Sequence, residues 1–118
     1  MAHGTCLCGT LEYEITEPFN FMAHCHCSRC RRHHGAPFAT WVGAPLSGFK
    51  WHSGEDNVGE YRSEGSGTRR FCKTCGSVAP VLIEQMGMAM LTAGNIVEDT
   101  VIRPQSHIFV GSKAPWYE

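Results

Sequence analysis

The sequence predicts an all-β domain with one short helical turn, and three observations support this fold class. Short strand-like segments recur along the chain and are separated by turn-forming residues, with 13 glycines and 6 prolines spread over 118 residues. Only one segment has a helical pattern. The 7 cysteines lie in three tight groups, and this grouping favours metal ligation over a disulfide framework because no secretory signal is visible.

Six segments are predicted to be strands. Residues 10–15 alternate between polar and apolar side chains, which is the period-two pattern of a half-buried strand. Residues 38–42 are rich in aromatic and β-branched side chains, which favour extended structure. The other predicted strands are 49–52, 78–84, 86–92 and 106–110.

The single helical segment is predicted at Ser28–His34, and Gly35 and Pro37 are expected to end it. Residues 62–68 are predicted to form an exposed hairpin loop because they combine glycine with small polar residues. The sequence contains no repeat and no linker. Its length fits one domain over residues 1–118.

Charge and hydropathy exclude several classes of function. The formal net charge is −1, which argues against electrostatic binding of nucleic acid or anionic membranes. No apolar run reaches the roughly 18 residues that a membrane span needs. The N-terminal residues lack a charged region followed by an apolar one, so no secretory signal is visible. We therefore expect a cytoplasmic protein that binds neither nucleic acid nor membrane.

Two cysteine pairs, one near each end of the chain, predict a closed metal site. Cys72 and Cys75, followed by Gly76, have the spacing of a zinc knuckle, in which two thiolates bind one ion around a tight turn. Cys6 and Cys8 would share one face of an extended strand, so both sulfurs could point at the same ion. Together the pairs supply a tetrahedral four-cysteine site that would join distant parts of the chain.

The middle group contains Cys25, Cys27 and Cys30, which lie too close together to serve separate ions. Alternation places Cys25 and Cys27 on one face, and Cys30 returns from the next helical turn. No eighth cysteine exists, and three protein ligands with an open position are the arrangement of a catalytic zinc. Alternatively, a histidine such as His33 could fill the fourth position. Another partition, which would split the fused group, assigns one ion to Cys6, Cys8, Cys25 and Cys27 and the other to Cys30, Cys72 and Cys75.

An open three-cysteine zinc would suit thiol chemistry. Three thiolates leave the site with a net charge of −1, which favours a soft fourth ligand, and an incoming thiol would bind as thiolate. That thiolate could attack an aldehyde carbonyl, and the reverse reaction would cleave a carbon–sulfur bond. Arg31 or Arg32 could bind a substrate carboxylate, while the other lies on a solvated helix edge. Phe38 and Trp41 are predicted to be core residues that also form the wall of a substrate pocket.

Five segments in order along the chain resemble the glutathione-dependent formaldehyde-activating enzyme family, also called the centromere protein V family. They are GTCLCG at 4–9, CHCSRCRR at 25–32, GAPF at 35–38, RFCKTCG at 70–76 and HIFVGSKAPW at 107–116. The resemblance implies a zinc-binding all-β domain of the β-tent type. It also implies a structural zinc at Cys6, Cys8, Cys72 and Cys75 and a second zinc, associated with glutathione and catalysis, at Cys25, Cys27 and Cys30.

The family's named activity joins formaldehyde and glutathione into S-hydroxymethylglutathione, which makes the reverse reaction that of a carbon–sulfur lyase. We therefore expect a zinc-dependent carbon–sulfur lyase that acts on a glutathione adduct and contains two zinc ions per chain. The alternatives are a non-catalytic zinc-stapled binding or scaffold module and a thiol carrier that binds glutathione without turnover. A homo-oligomer, in which a second subunit supplies part of the pocket, is compatible with the short chain.

Overall fold

The computed structural model describes residues 1–65 and 67–118, which form ten strands and one α-helix. The strands are β1 (Ala2–Thr5), β2 (Glu12–Ile15), β3 (Phe21–Cys25), β4 (Ala39–Pro45), β5 (Phe49–Ser53), β6 (Val58–Ser63), β7 (Gly67–Cys72), β8 (Val81–Ile83), β9 (Met88–Thr92) and β10 (Ser106–Ile108). Helix α1 (Ser28–His34) lies between β3 and β4. Short 3₁₀ turns lie at Leu46–Gly48, Glu55–Asn57, Glu84–Met86, Ala93–Asn95 and Val110–Ser112. The predicted all-β class is confirmed.

The described strands form three sheets. The first has the order β1-β2-β5, the second β10-β3-β4-β9-β8, and the third is the hairpin β6-β7. Neighbouring strands are antiparallel except for β10, which runs parallel to β3 and places Ile108 beside Cys25. This parallel pair brings the C-terminal part of the chain to the segment that contains the middle cysteines.

The predicted helix is confirmed at Ser28–His34. The predicted strands at 10–15, 38–42, 49–52, 78–84, 86–92 and 106–110 each overlap an observed strand, although the bounds shift by a few residues. The sequence analysis predicted no strand at β1, β3, β6 or β7. In β3 the polar–apolar alternation is broken, since the neighbours Met22 and Ala23 are both buried. In the predicted hairpin loop at 62–68, pairing between β6 and β7 continues to Ser63 and Gly67, and residue 66 lies outside the described residues.

The main core lies between the first two sheets. Tyr13 and Ile15 of β2 pack against Val42 of β4 and Leu91 of β9, and all four side chains are almost fully buried. The opposite face of the five-stranded sheet is only half covered, since its outward side chains, such as Trp41, remain partly exposed. This half-covered face is therefore available for a site. No helix among the described residues has the length and apolar composition to cross a bilayer.

Candidate metal centre and active site

The two terminal cysteine pairs meet in one cluster. The sulfurs of Cys6, Cys8, Cys72 and Cys75 all lie within 4.8 Å of one another. The Cys6 and Cys8 sulfurs are 3.7 Å apart, and those of Cys8 and Cys72 are 3.9 Å apart. A tetrahedral zinc with Zn–S bonds of about 2.3 Å separates its sulfur ligands by about 3.8 Å, whereas a disulfide bond is about 2.05 Å long. The donor set and its spacing therefore fit one tetrahedral metal ion.

The first pair lies in a turn, so the predicted strand geometry for Cys6 and Cys8 is wrong. Both residues follow β1, and the Cys6 carbonyl accepts a hydrogen bond of 3.2 Å from the Gly9 N–H. On a strand, the backbone positions of residues two apart are separated by nearly 7 Å. The turn shortens this separation to a ligand spacing, and it uses Gly9 at a φ of 84°.

The second pair begins at Cys72, the last residue of β7, and Cys75 lies in the turn that follows. The Cys72 carbonyl accepts a hydrogen bond of 2.8 Å from the Gly76 N–H, and Gly76 has a φ of 80°. This is the left-handed region, in which glycine has no steric penalty. The predicted knuckle geometry of Cys72 and Cys75 is therefore what the structure contains.

Hydrogen bonds reach the sulfurs of this cluster. The Ser77 hydroxyl lies 3.2 Å from the Cys75 sulfur. This hydrogen bond, the largest cause, and one from the Ser77 backbone lower the pKa of the Cys75 thiol to about 5. The same hydroxyl accepts a hydrogen bond of 2.9 Å from the Leu7 N–H, which ties the two turns together. The Asn57 amide donates to the Cys72 sulfur at 3.5 Å. These donors favour the thiolate form that a metal ion binds.

The middle cysteines gather where β3 meets α1. Cys25 is the last residue of β3, Cys27 directly precedes α1, and Cys30 lies in the first turn of the helix. Cys25 and Cys30 are each 5% exposed, and Cys27 is half-buried. All three belong to one apolar cluster with Ala39, Trp41 and Ile108. The structure thus brings the predicted triad together.

The triad is nevertheless less tightly drawn together than the four-cysteine cluster. Among the described residues, the structure presents only the four terminal cysteines as a group of potential ligand atoms within 4.8 Å of one another. His33 does not join such a group, so the structure gives no support to a histidine as fourth ligand. The second metal ion remains a prediction.

Arg69 is a residue that the sequence reasoning missed. It lies on β7, far from the triad in sequence, and its Nη1 donates to the Cys30 sulfur at 3.4 Å. Burial, the largest cause, raises the pKa of Cys25 to about 11. Burial also acts to raise the pKa of Cys27, but hydrogen bonds from the backbone at Cys30 and Arg29 lower it. A guanidinium beside the triad compensates the negative charge that thiolates would place there.

Two adjoining depressions lie beside the triad. A groove of about 470 Å³ is lined by Arg29, Arg32 and Arg69, together with one acidic residue, Glu64. A cleft of about 240 Å³ is lined mainly by apolar side chains and reaches Cys25. Arg69 and His33 line both. Cys25 therefore lines the apolar cleft, and Arg69, at the boundary with the basic groove, connects that boundary to Cys30.

The four predicted substrate-binding residues have different positions. Arg32 lines the basic groove, and Trp41 forms a wall of the apolar cleft. The Nε of Arg31 instead donates to the Ser112 carbonyl at 3.1 Å. Phe38 lines neither the groove nor the cleft; it packs against the rings of His24, His26, His107 and Tyr117. Of the two arginines, Arg32 is therefore the better placed to meet a ligand, which remains a prediction.

A buried histidine links the triad to the C-terminal segment. His26 lies between Cys25 and Cys27 and is fully buried, and its Nε2 is 2.8 Å from Nδ1 of His107. Its backbone N–H donates to the Ile108 carbonyl at 2.9 Å. Burial, the largest cause, lowers the pKa of His26. The ring is thus engaged with β10 rather than with the cysteines, and it fixes the backbone between two of them.

Comparisons with known proteins match almost the entire chain. The sequence model of a family described as "Glutathione-dependent formaldehyde-activating enzyme" matches residues 1–112. A curated protein of Schizosaccharomyces pombe, described as an uncharacterized lyase, is 33% identical over 81 residues, which cover 63% of this chain and 52% of that protein. This chain thus spans about half the length of that relative. A crystal structure of a Rhodobacter sphaeroides protein superposes with a TM-score of 0.66 at 25% identity, covering 89% of this chain and 98% of the other.

Proposed function

The chain belongs to the glutathione-dependent formaldehyde-activating enzyme family, as predicted, and we propose that it is a zinc-dependent carbon–sulfur lyase acting on a glutathione adduct. The family and the lyase-named relative support a glutathione-related, lyase-like function. The observation that carries the finer proposal is the cluster of Cys25, Cys27 and Cys30, of which Cys25 lines the apolar cleft and Cys30 is bonded to Arg69, a residue that lines both the groove and the cleft. S-hydroxymethylglutathione is the adduct that the family name suggests.

The four-cysteine cluster is the structural half of the proposal. Thiolates are soft ligands that suit zinc, and the sulfur spacing fits its tetrahedral geometry. A zinc ion held by Cys6, Cys8, Cys72 and Cys75 would join the N-terminal turn to the turn after β7. In this proposal the domain is a zinc-stapled β-tent.

The triad is the catalytic half. Cys25, Cys27 and Cys30 would hold a second zinc, which when bound would keep the substrate sulfur in its thiolate form. Arg69, which contacts the Cys30 sulfur, offsets the negative charge of the sulfurs. Glutathione has two carboxylates, and the arginines of the groove offer the paired donors that carboxylates accept. Because metal-binding thiols need reducing conditions, we place this activity in the cytoplasm.

The proposed reaction is balanced without an oxidant or a reductant. In the direction of cleavage, the carbon–sulfur bond breaks and its electron pair stays on the sulfur. The adduct's hydroxyl loses its proton as the carbonyl forms, and the products are the thiol and the aldehyde. In the direction of synthesis, the same proton moves from the thiol to the carbonyl oxygen.

The direct test is turnover by the zinc-loaded protein. Thiols add to formaldehyde without a catalyst, so exchange between free formaldehyde and its glutathione adduct is measured by NMR with and without protein. We expect the protein to accelerate this exchange, or that of another aldehyde adduct. If no glutathione adduct is processed or bound, the protein is instead the non-catalytic zinc-stapled module, for which a single tightly packed four-cysteine cluster would suffice.

Arg32→Met tests the groove. Arg32 is exposed and does not contact the cysteines through any observed bond, so its loss should raise KM about three- to tenfold and leave kcat nearly unchanged, the scale of a partly exposed charged contact. Arg62→Met is the matched control, because Arg62 is exposed and lies outside the groove lining. An unchanged KM in Arg32→Met would show that substrate carboxylates do not bind there.

A further inference from the structure

We infer that the natural substrate has a bulky apolar group on the glutathione sulfur, so that the aldehyde partner contains a hydrocarbon chain or ring and is not formaldehyde. This inference rests on the proposed function, since it concerns the substituent of the same adduct. It is carried by the apolar cleft beside Cys25, which a one-carbon substituent would leave almost empty.

The walls of the cleft are hydrocarbon and thioether surfaces. Its apolar lining comes from five strands of one sheet and consists of Phe21, Trp41, Val81, Ile83, Met90 and Ile108. All six side chains are only half-buried in the protein as described. Covering apolar surface that is in contact with water lowers the free energy of the complex, which strengthens binding. The cleft thus selects an apolar occupant.

The sheet register builds this lining as a row across four strands. Phe21 pairs with Gly43, Gly43 pairs with Met90, and Met90 pairs with Val81. Gly43 has no side chain to fill the gap between Phe21 and Met90. A Cβ atom at this position would lie 2.9 Å from the Met88 methyl carbon and 3.2 Å from the Met90 sulfur. The glycine therefore keeps the floor of the cleft open.

Size separates formaldehyde from larger aldehydes. The cleft has a volume of about 240 Å³. A hydroxymethyl group has two heavy atoms and occupies about the volume of one or two water molecules, each of about 30 Å³. A chain of about six carbons, or a ring, would fill much more of it. Such a substituent would extend along the cleft from the glutathione sulfur, which would lie beside Cys25.

The two depressions then receive the two halves of one ligand. Arg69 and His33 line both, at the boundary beside the triad. The peptide carboxylates would lie against the arginines of the groove, and the hydrocarbon group would lie against Trp41 and its neighbours. The reaction remains addition of the thiol to the aldehyde carbonyl, with the thiol proton transferred to the carbonyl oxygen.

Binding of inert thioethers tests the inference without relying on turnover. S-methylglutathione and S-hexylglutathione are titrated into the zinc-loaded protein by calorimetry. A fully buried methylene strengthens binding by about fourfold, so even partial burial of the longer chain predicts at least tenfold tighter binding of S-hexylglutathione. Equal affinities for the two thioethers would overturn the inference while leaving the proposed function intact. Failure of both to bind, together with absence of turnover, would instead overturn the proposed function.

A filled cleft supplies the second test. Val81→Trp places a large ring on the edge strand β8, where it should occupy the cleft and weaken S-hexylglutathione binding at least tenfold, with S-methylglutathione changed by less than twofold. Val97→Trp is the matched control, since Val97 is exposed and lies outside the groove and the cleft. Tighter hexyl binding that persists in Val81→Trp would place the chain elsewhere and overturn the inference.

Discussion

The two groups of cysteines differ in how the chain delivers them. The four-cysteine cluster joins two turns that are far apart in sequence, since Cys8 and Cys72 are 64 positions apart. The triad comes from one continuous stretch, from the end of β3 to the first turn of α1. Hydrogen bonds within and between its turns hold the first group, whereas the triad borders a groove and a cleft.

This difference separates a structural role from a chemical one. An ion that joins distant segments restricts the unfolded chain more than one that binds a short loop, and the logarithmic dependence on loop length makes the difference about 2 kcal/mol for these two spans. Occupying the triad therefore adds less to folding, and Cys25 of the triad lines a cleft that could receive a ligand. Under the proposed function, connectivity and surroundings therefore decide which group of cysteines stabilises the fold and which carries the chemistry.

Cysteine-to-serine substitutions give the largest expected effect. Cys72 is fully buried in the four-cysteine cluster, and structural zinc contributes roughly 10–16 kcal/mol in small peptides, which is comparable to the stability of a whole domain. Cys72→Ser should therefore abolish the cooperative unfolding transition. Thermal unfolding followed by circular dichroism, together with the zinc content of the purified variant, measures this.

Cys30→Ser is the matched substitution in the triad. It should abolish turnover, lower the zinc content by one ion per chain, and leave a cooperative transition in place. If both variants lose the transition, the triad is as structural as the four-cysteine cluster and the comparison fails. If both remain folded, the cluster does not staple the fold.

Local sequence patterns were enough to predict the helix that carries Cys30 and the members of the four-cysteine cluster. The helix at Ser28–His34 follows from its glycine and proline boundary, and the pairing of Cys72 with Cys75 follows from their spacing. The four-cysteine cluster itself was predicted with the correct members. Cys6 and Cys8 were predicted to lie on a strand because of their two-residue spacing, whereas the structure places them in a turn that ends at Gly9.

The surroundings of the triad could not be predicted in the same way. Arg69 reaches Cys30 because β7 borders the apolar cleft together with strands of the five-stranded sheet, and no local pattern encodes that packing. The cleft depends on which side chains of five strands share a face, and this follows from register rather than from composition. His107 was given no role, since a bond between its ring and His26 requires the parallel pairing of β10 with β3.

The order of metal release gives the next largest effect. We expect two zinc ions per chain, with a chelator removing the triad ion first because it has three protein ligands and lies beside an open cleft. This release should leave the circular dichroism spectrum nearly unchanged, and the second, slower release should accompany unfolding. A chromogenic chelator measures both steps, and Cys27→Ser should lack the fast one. A single ion per chain, or release of both ions together with unfolding, would remove the distinction between the two groups.

The smallest effect concerns the acid sensitivity of the region that joins the two groups. His34 lies in α1 after the triad, and a depression between the groups is lined by His34 together with Gly76 and Ser77, beside the four-cysteine cluster. Burial, the largest cause, lowers the pKa of His34 to about 4, and the charges of His33 and Arg69 lower it further. The unfolded chain, with a histidine pKa of about 6.5, binds this proton more readily.

Above about pH 6.5 the His34 ring is neutral in both the folded and the unfolded chain, so its protonation does not oppose folding. As the pH falls from there towards 4, the unfolded chain binds the proton first, and the free energy of unfolding decreases. His34→Leu should remove this contribution, so that its thermal midpoint falls less than that of the unchanged protein between pH 7.5 and 5.5. We expect a difference of about 4 °C, which corresponds to about 1 kcal/mol after allowance for solvent screening. Metal ligands also protonate in acid, but that loss affects both proteins equally and cancels in the comparison. If both midpoints fall by the same amount, acid acts through the cysteine groups alone, and α1 does not couple them to pH.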